Sequence, residues 1–315
     1  MKRRMPSSIK RLILTLIFLI LTAAIAVGCG QGAGAFKEEG KLHVTATIGM
    51  ISDVVKEVGG ERVEVIGLMG PGVDPHLYKA SQGDIAKLED AKVILYGGLH
   101  LEGKMTEIFE KMSKTKSVVP VTKNIPESSL LTTGDGTFDP HVWFDVKLWM
   151  SATETIRDTL IENDPEHEAE YRERTDAYLA KLEELDRYTR EQIATIPEQG
   201  RVIVTAHDAF GYFGNAYAIE VVGLQGISTA AEYGSKDVTA LRDMLVERGI
   251  KAVFVESSVP KKSIEAVIEG AKKMGHEVRI GGELFSDAMG EDGTEEGTYI
   301  GMVRHNVDTI VKSLK

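Results

Sequence analysis

Two Asp-Pro-His triplets stand out among the residues able to do chemistry: Asp74-Pro75-His76, and Asp139-Pro140-His141 running on into Val142-Trp143-Phe144-Asp145. Proline fixes its own φ and disfavours helix in the residue before it, so each histidine follows a stiff, non-helical turn. Stiff turns suit metal ligands. Taken singly, either triplet is equally well a turn with an incidental imidazole; two on one chain favour a shared site if the fold joins them. His207 follows the apolar run Val202 to Ala206, and Asp287 lies in Leu284-Phe285-Ser286-Asp287-Ala288-Met289-Gly290. Three imidazoles and a carboxylate from four loops suit a borderline divalent ion such as Zn²⁺ and can accept Mn²⁺, whereas Ca²⁺ and Mg²⁺ prefer oxygen.

The elements that must position these residues alternate in type. Leu42 to Ile48 reads as a buried strand, followed by a helix to Gly59-Gly60, a strand Val63 to Leu68, a helix Ser81 to Asp90 and a strand Lys92 to Tyr96. A helix Glu102 to Met112 and a strand Ser117 to Val121 follow, then a polar loop over 122–138 without histidine. The same grammar returns with strands at 202–206, 252–255 and 277–280 and helices at 236–248, 260–274 and 295–314. This is an α/β pattern of two βα lobes with mostly parallel sheets, 41–163 and 198–315. Between them, Asp164 and Pro165 start a long helix with an apolar face of Tyr171, Tyr178, Leu182, Leu185, Ile193 and Ile196, ended by Pro197. The segment 164–197 is expected to be a rigid connector, with the metal site in the cleft between lobes. Both His76 and His207 follow strands, and ligands in open parallel sheets sit beyond the carboxyl ends of the strands.

The first residues indicate where the site works. Lys2, Arg3, Arg4, Lys10 and Arg11 precede the apolar run Leu12 to Val27, which is shorter than the ~20 residues needed to span a bilayer and has signal-peptide architecture over 1–28. Ala26-Val27-Gly28-Cys29 resembles a bacterial lipobox, which implies cleavage before Cys29 and its lipidation; ordinary cleavage nearby is the alternative. Residues 29–40 then form the lipidated cysteine and a flexible tether. Cys29 is the only cysteine, which excludes an intramolecular disulfide. The chain holds 37 Lys+Arg against 48 Asp+Glu, and its formal charge of -11 argues against nucleic acid as a partner.

The motifs around His76, His141, His207 and Asp287, together with Gly223 to Ser228, resemble those of the metal-binding solute-binding lipoproteins of bacterial zinc and manganese ABC importers. The resemblance covers nearly all of the chain after the leader. It implies two βα lobes joined by a long helix, a metal held between them by those four residues, and delivery to a membrane permease driven by a cytoplasmic ATPase. Manganese binders of the family commonly have Glu at the position of His207, whereas zinc binders favour His there and often carry a His-rich loop. This chain has His207 but no such loop; the softness of its donors places Zn²⁺ ahead of Mn²⁺. The protein is expected to be a non-enzymatic monomer, exported and lipid-anchored to the outer face of the cell membrane or periplasmic.

Around the ligands, Asp74, Asp139 and Asp208 can orient neighbouring imidazoles or cap helices, and His100, after a strand, can lie near the crevice. Glu256 and Glu283 also follow strands and are the substitutes if Asp287 is not the fourth ligand. His43, His167, His276 and His305 read as structural. Two other classes compete: a zinc-dependent hydrolase, which would keep an open coordination position and a general base, and a surface adhesin or interaction lipoprotein. Neither His-Glu-x-x-His nor Gly-x-Ser-x-Gly occurs.

Overall fold

Parallel pairing organises the first half of the chain. In the computed structural model, which describes residues 36–315 apart from 39 and 135, strand β1 (Leu42–Ala46) pairs with both β2 (Val63–Gly67) and β3 (Val93–Tyr96). Strand β4 (Ser117–Pro120) completes a parallel sheet in the order β2-β1-β3-β4. Val44, Ala46, Val93, Ile94 and Leu95 are buried, as expected for parallel strands covered on both faces. The helices are α1 (Gly49–Gly59), α2 (Gln82–Asp90) and α3 (Thr106–Met112). Ser81 starts α2 through a capping box in which its hydroxyl accepts from Asp84 N–H while the Asp84 carboxylate accepts from Ser81 N–H.

An 18-residue helix, α4 (Val146–Asn163), was not expected from the sequence. Asp145 caps it by accepting from the backbone N–H groups of Lys147 and Leu148. Its buried face includes Trp149, Thr153, Ile156, Thr159 and Leu160. The threonines broke the apolar pattern, yet their hydroxyls donate to carbonyls one turn back, Thr153 to Trp149 at 2.9 Å and Thr159 to Thr155 at 2.8 Å.

The long helix α5 spans Glu168–Ala194 after a short 3₁₀ turn at Pro165–His167. Its 27 residues reach about 40 Å at 1.5 Å per residue. Its expected apolar positions Tyr171, Tyr178, Leu182, Leu185 and Ile193 are buried, as is Ile196 just beyond its end. Asp164 does not cap through its side chain; its carboxylate instead takes the Tyr171 hydroxyl and the His167 ring. Helix α5 packs along α1, α4 and the last helix α9 (Tyr299–Leu314).

The second half contains β5 (Val202–His207) paired in parallel with β6 (Glu220–Gln225), and β7 (Ala252–Glu256) paired with β8 (Arg279–Leu284). Strand β5 runs beside β7. Helices α6 (Gly211–Tyr217), α7 (Ser235–Arg248) and α8 (Lys262–Lys273) complete it. β8 lies further along the chain than expected because half-exposed glycines 281 and 282 hide its pattern, and α9 starts at Tyr299, where Thr298 accepts from Gly301 N–H. One apolar core runs from Leu42 through α4 and α5 to α9, and a smaller one joins β5, β7, α7 and α8. Residues Phe36–Lys315 are accordingly one compact unit.

The leader 1–28, Cys29 and the tether to residue 35 lie outside the described residues. Phe36 to Glu38, within the stretch expected to be flexible, are held on the sheet edge. The Phe36 ring stacks on His43 at 4.3 Å, and the backbone N–H groups of Lys37 and Glu38 donate to the Glu64 carboxylate. No helix among the described residues is long and apolar enough to cross a membrane.

Candidate metal centre

His76, His141, His207 and Asp287 converge at the carboxyl ends of the strands, each offering a ligand atom within 4.8 Å of the others. His76 stands on the loop after β2, His141 on the turn before a 3₁₀ segment at Val142–Phe144, His207 at the last position of β5 and Asp287 beyond β8. His76 Nε2 is 3.3 Å from His141 Nε2, His141 Nε2 is 3.3 Å from Asp287 Oδ1, and His207 Nε2 is 3.3 Å from Asp287 Oδ2. Ligands about 2.0–2.1 Å from a zinc ion in tetrahedral array are separated by roughly 3.4 Å, so the spacing suits one small cation.

All four side chains are buried, at 4% exposure or less. His207 Nε2 and both Asp287 oxygens have no hydrogen-bond partner among the described residues. Buried polar atoms are nearly always satisfied. Orphans aimed at a common point are what a cation would satisfy.

Each Asp-Pro-His triplet folds the same way, with the aspartate Oδ1 accepting from the histidine backbone N–H at 2.9 Å. Asp139 Oδ1 also lies 2.7 Å from His141 Nδ1, leaving Nε2 for an ion. Glu256, at the end of β7, plays the corresponding part for His207. Its Oε1 accepts from the His207 backbone N–H at 2.8 Å, and its Oε2 is in ion-pair contact with Nδ1. The loop carrying Asp287 is pinned by Asn306, which bonds both backbone groups of Phe285, and by Trp143 Nε1 donating to Ser286 O at 3.1 Å. The Trp143 ring meets His141 edge-on at 5.2 Å and so walls the site.

Electrostatics separate the three imidazoles. Burial brings His76 down to about 4 despite the pull of Asp287. Burial also disfavours a charged His141, but Asp139 and Asp287 outweigh it and raise the group to about 9. His207 is likewise held well above its ordinary value, with Glu256 and Asp287 overcoming burial. Burial opposes charge on Asp287 too, yet His207 and His141 hold its carboxyl well below the usual range.

The other expected neighbours divide. Asp139 orients a ring. Asp74 fixes the backbone of the His76 turn and accepts from Thr229 Oγ1 at 2.6 Å, without reaching the ring. The Asp208 side chain makes no hydrogen bond among the described residues, and burial raises its carboxyl. His100 is exposed, forms no hydrogen bond or ion pair among the described residues, and lines a separate groove with Tyr96, Phe109 and Phe138. The Gly98-Leu99-His100 turn carries positive φ at all three residues and takes the histidine away from the centre. Glu283 pairs with Lys261 at 2.7 Å rather than joining the site. The role of Glu256 was missed: its position after a strand marked it as a ligand substitute, and only the β5–β7 adjacency makes it the partner of His207.

This α/β architecture with parallel sheets and a buried His₃Asp cluster defines a metal solute-binding protein, and the chain belongs to the ZnuA family, described as zinc-uptake complex component A, periplasmic, which matches residues 44–313. It is 53% identical over 302 residues to the manganese-binding lipoprotein MntA of Bacillus subtilis (strain 168), covering 95% of this chain and 99% of that protein. It is 50% identical over 276 residues to the zinc-binding protein TroA of Treponema pallidum (strain Nichols), covering 88% and 90% respectively. The solved structure of the periplasmic zinc-binding TroA superposes with a TM-score of 0.86, covering 87% of this chain and 99% of the other.

Proposed function

We propose that this protein captures one divalent transition-metal ion outside the cytoplasm, Zn²⁺ more tightly than Mn²⁺, and delivers it to the permease of an ABC importer. The observation that carries the reading is the buried convergence of three imidazole Nε2 atoms and the Asp287 carboxylate. Both Asp287 oxygens face histidine nitrogens, so the cage offers three nitrogen and two oxygen donors. Nitrogen-rich donors favour Zn²⁺ over Mn²⁺ in direct competition, and supply outside the cell decides which ion is carried. Of the two relatives above, one is named for manganese and the other for zinc.

The metal is cargo. A shell filled by protein donors leaves no position for an activated water, so the site is built to hold rather than to catalyse. His76, His141, His207 and Asp287 are the ligands, with Asp139 and Glu256 fixing two of the rings. Anchoring through a lipid on Cys29 and a monomeric state complete the reading; relatives named as lipoproteins support the anchor. The segments 41–163 and 198–315 are the units that shift slightly on loading, with 164–197 between them, giving the permease a surface that differs between loaded and empty protein.

Elemental analysis of the purified protein, followed by competition between Zn²⁺ and Mn²⁺ at buffered free concentrations, tests this reading. One equivalent of metal with Zn²⁺ preferred is expected. Failure to bind either ion overturns it.

A further inference from the structure

The three histidine ligands are not held equally. His141 has Asp139 on both its backbone and its ring, and His207 has Glu256 in the same two places. Among the described residues, the His76 ring has no carboxylate behind it. Its turn follows the exposed Gly70-Pro71-Gly72, where Gly72 takes a positive φ of 71°, and it is the most exposed of the four ligands at 4%. Every ligand is buried, so an ion cannot arrive or leave unless one of them moves. His76 is the one with the weakest constraints.

One restraint on that turn comes from the other half of the chain. Thr229 Oγ1 donates to Asp74 Oδ2 at 2.6 Å, while Asp74 Oδ1 accepts from His76 N–H. Thr229 is in turn fixed by Gln225, whose side-chain amide donates to the carbonyls of Thr229 and Ala231, each at 2.6 Å. Gln225 ends β6 and lies opposite His207 in the β5–β6 ladder. A short path of hydrogen bonds thus runs from one ligand, His76, through Asp74, Thr229 and Gln225 to the strand carrying another, His207.

We propose that the Thr229–Asp74 hydrogen bond is a latch that keeps the His76 turn closed over the bound metal and sets the rate at which the ion is released. This rests on the metal-capture reading above. Opening the latch frees the His76 turn to swing on the Gly70–Gly72 segment while Asp139 and Glu256 keep the other two rings in place. Thr229 is a positioning residue: it touches no metal, and acts through Asp74.

Thr229→Val removes the hydroxyl at nearly constant volume, and Thr229→Ser retains it. Both are read by stopped-flow release of Zn²⁺ from the loaded protein into excess chelator, beside the parent and with thermal melting of each metal-free protein as a check on folding. A hydrogen bond to a charged acceptor is worth about 1.5–3 kcal/mol, which corresponds to roughly a 10- to 150-fold faster release for Thr229→Val. Thr229→Ser is expected to release like the parent. Release from Thr229→Val within twofold of the parent, or equal acceleration in both variants, overturns the latch. If the parent itself takes up no Zn²⁺, it is the metal-capture reading that fails.

Discussion

Asp139 Oδ1 lies 2.9 Å from the backbone nitrogen of His141 and 2.7 Å from its Nδ1, so one carboxylate oxygen fixes both the turn and the ring. With Nδ1–H committed to Asp139, only Nε2 faces the cluster. Groups that orient a ligating histidine in this way typically contribute about 10- to 100-fold to metal affinity. Asp139→Ala is therefore expected to weaken Zn²⁺ binding by that factor, measured by competition with a chromophoric chelator. Unchanged affinity would mean that Trp143 packing alone orients the ring.

Gly211 guards the same carboxylate. A Cβ at this position would lie 2.8 Å from Asp139 Oδ2, too close for a buried group held by two bonds from His141. Gly211→Ala is expected to weaken Zn²⁺ binding by about threefold, less than the loss of Asp139, while the protein still melts cooperatively. Parent-like affinity would show that Asp139 yields without disturbing His141.

Metal uptake should release protons. At pH 7 in the metal-free protein His76, at about 4, is neutral, whereas His141, at about 9, and His207, held well above its ordinary value, are protonated. A ligating Nε2 cannot keep its proton. Protons should leave as Zn²⁺ binds near neutral pH, so affinity should rise with pH, and less steeply once His141 deprotonates near 9. The unperturbed histidine value places that onset near 6.5; Asp139, Glu256 and Asp287 move it upward. Calorimetry in buffers of different ionisation enthalpy counts the protons, and buffer-independent heats would contradict the assignment.

The metal-free fold should respond to pH with two opposite signs. Raised values for His141 and His207 contribute stability that is complete below their unfolded value near 6.5 and is lost as pH rises through about 9 for His141. The depressed Asp287 carboxyl contributes stability above its ordinary value and loses it as pH falls below that range. Lowered His76 adds to the acid side, since the unfolded chain gains a proton below 6.5 that the folded chain refuses until about 4. Melting of the chelated protein should therefore be lower at pH 9.5 than at pH 7. Glu256→Gln should shrink that difference, and an unchanged difference would separate His207 from Glu256.

Much of the centre could be read in the sequence because its parts are local. The proline before each of His76 and His141 signals a stiff turn, and the apolar run before His207 signals a strand end, so three of the four clustered residues stand in short readable stretches; Asp287 follows a strand whose half-exposed glycines 281 and 282 hide its extent. Glu256 could not be assigned its role in the same way, since its tie to His207 depends on β5 lying beside β7, an adjacency that neither strand encodes alone. Helix α4 was hidden because Thr153, Thr155 and Thr159 read as polar, though their hydroxyls are spent inside the helix. The compactness around α5 was also out of view: its buried tyrosines mark one apolar face, but not that this face meets α1, α4 and α9 together.

The central claim is that His76, His141, His207 and Asp287 jointly hold one ion. Calorimetric titration of Zn²⁺ into the parent and into His141→Ala, both first stripped of metal, tests it most directly. The account predicts one high-affinity equivalent for the parent and a loss of at least about 100-fold for the variant, since an imidazole is removed from a closed shell. Equal affinity and stoichiometry in the two proteins would contradict it.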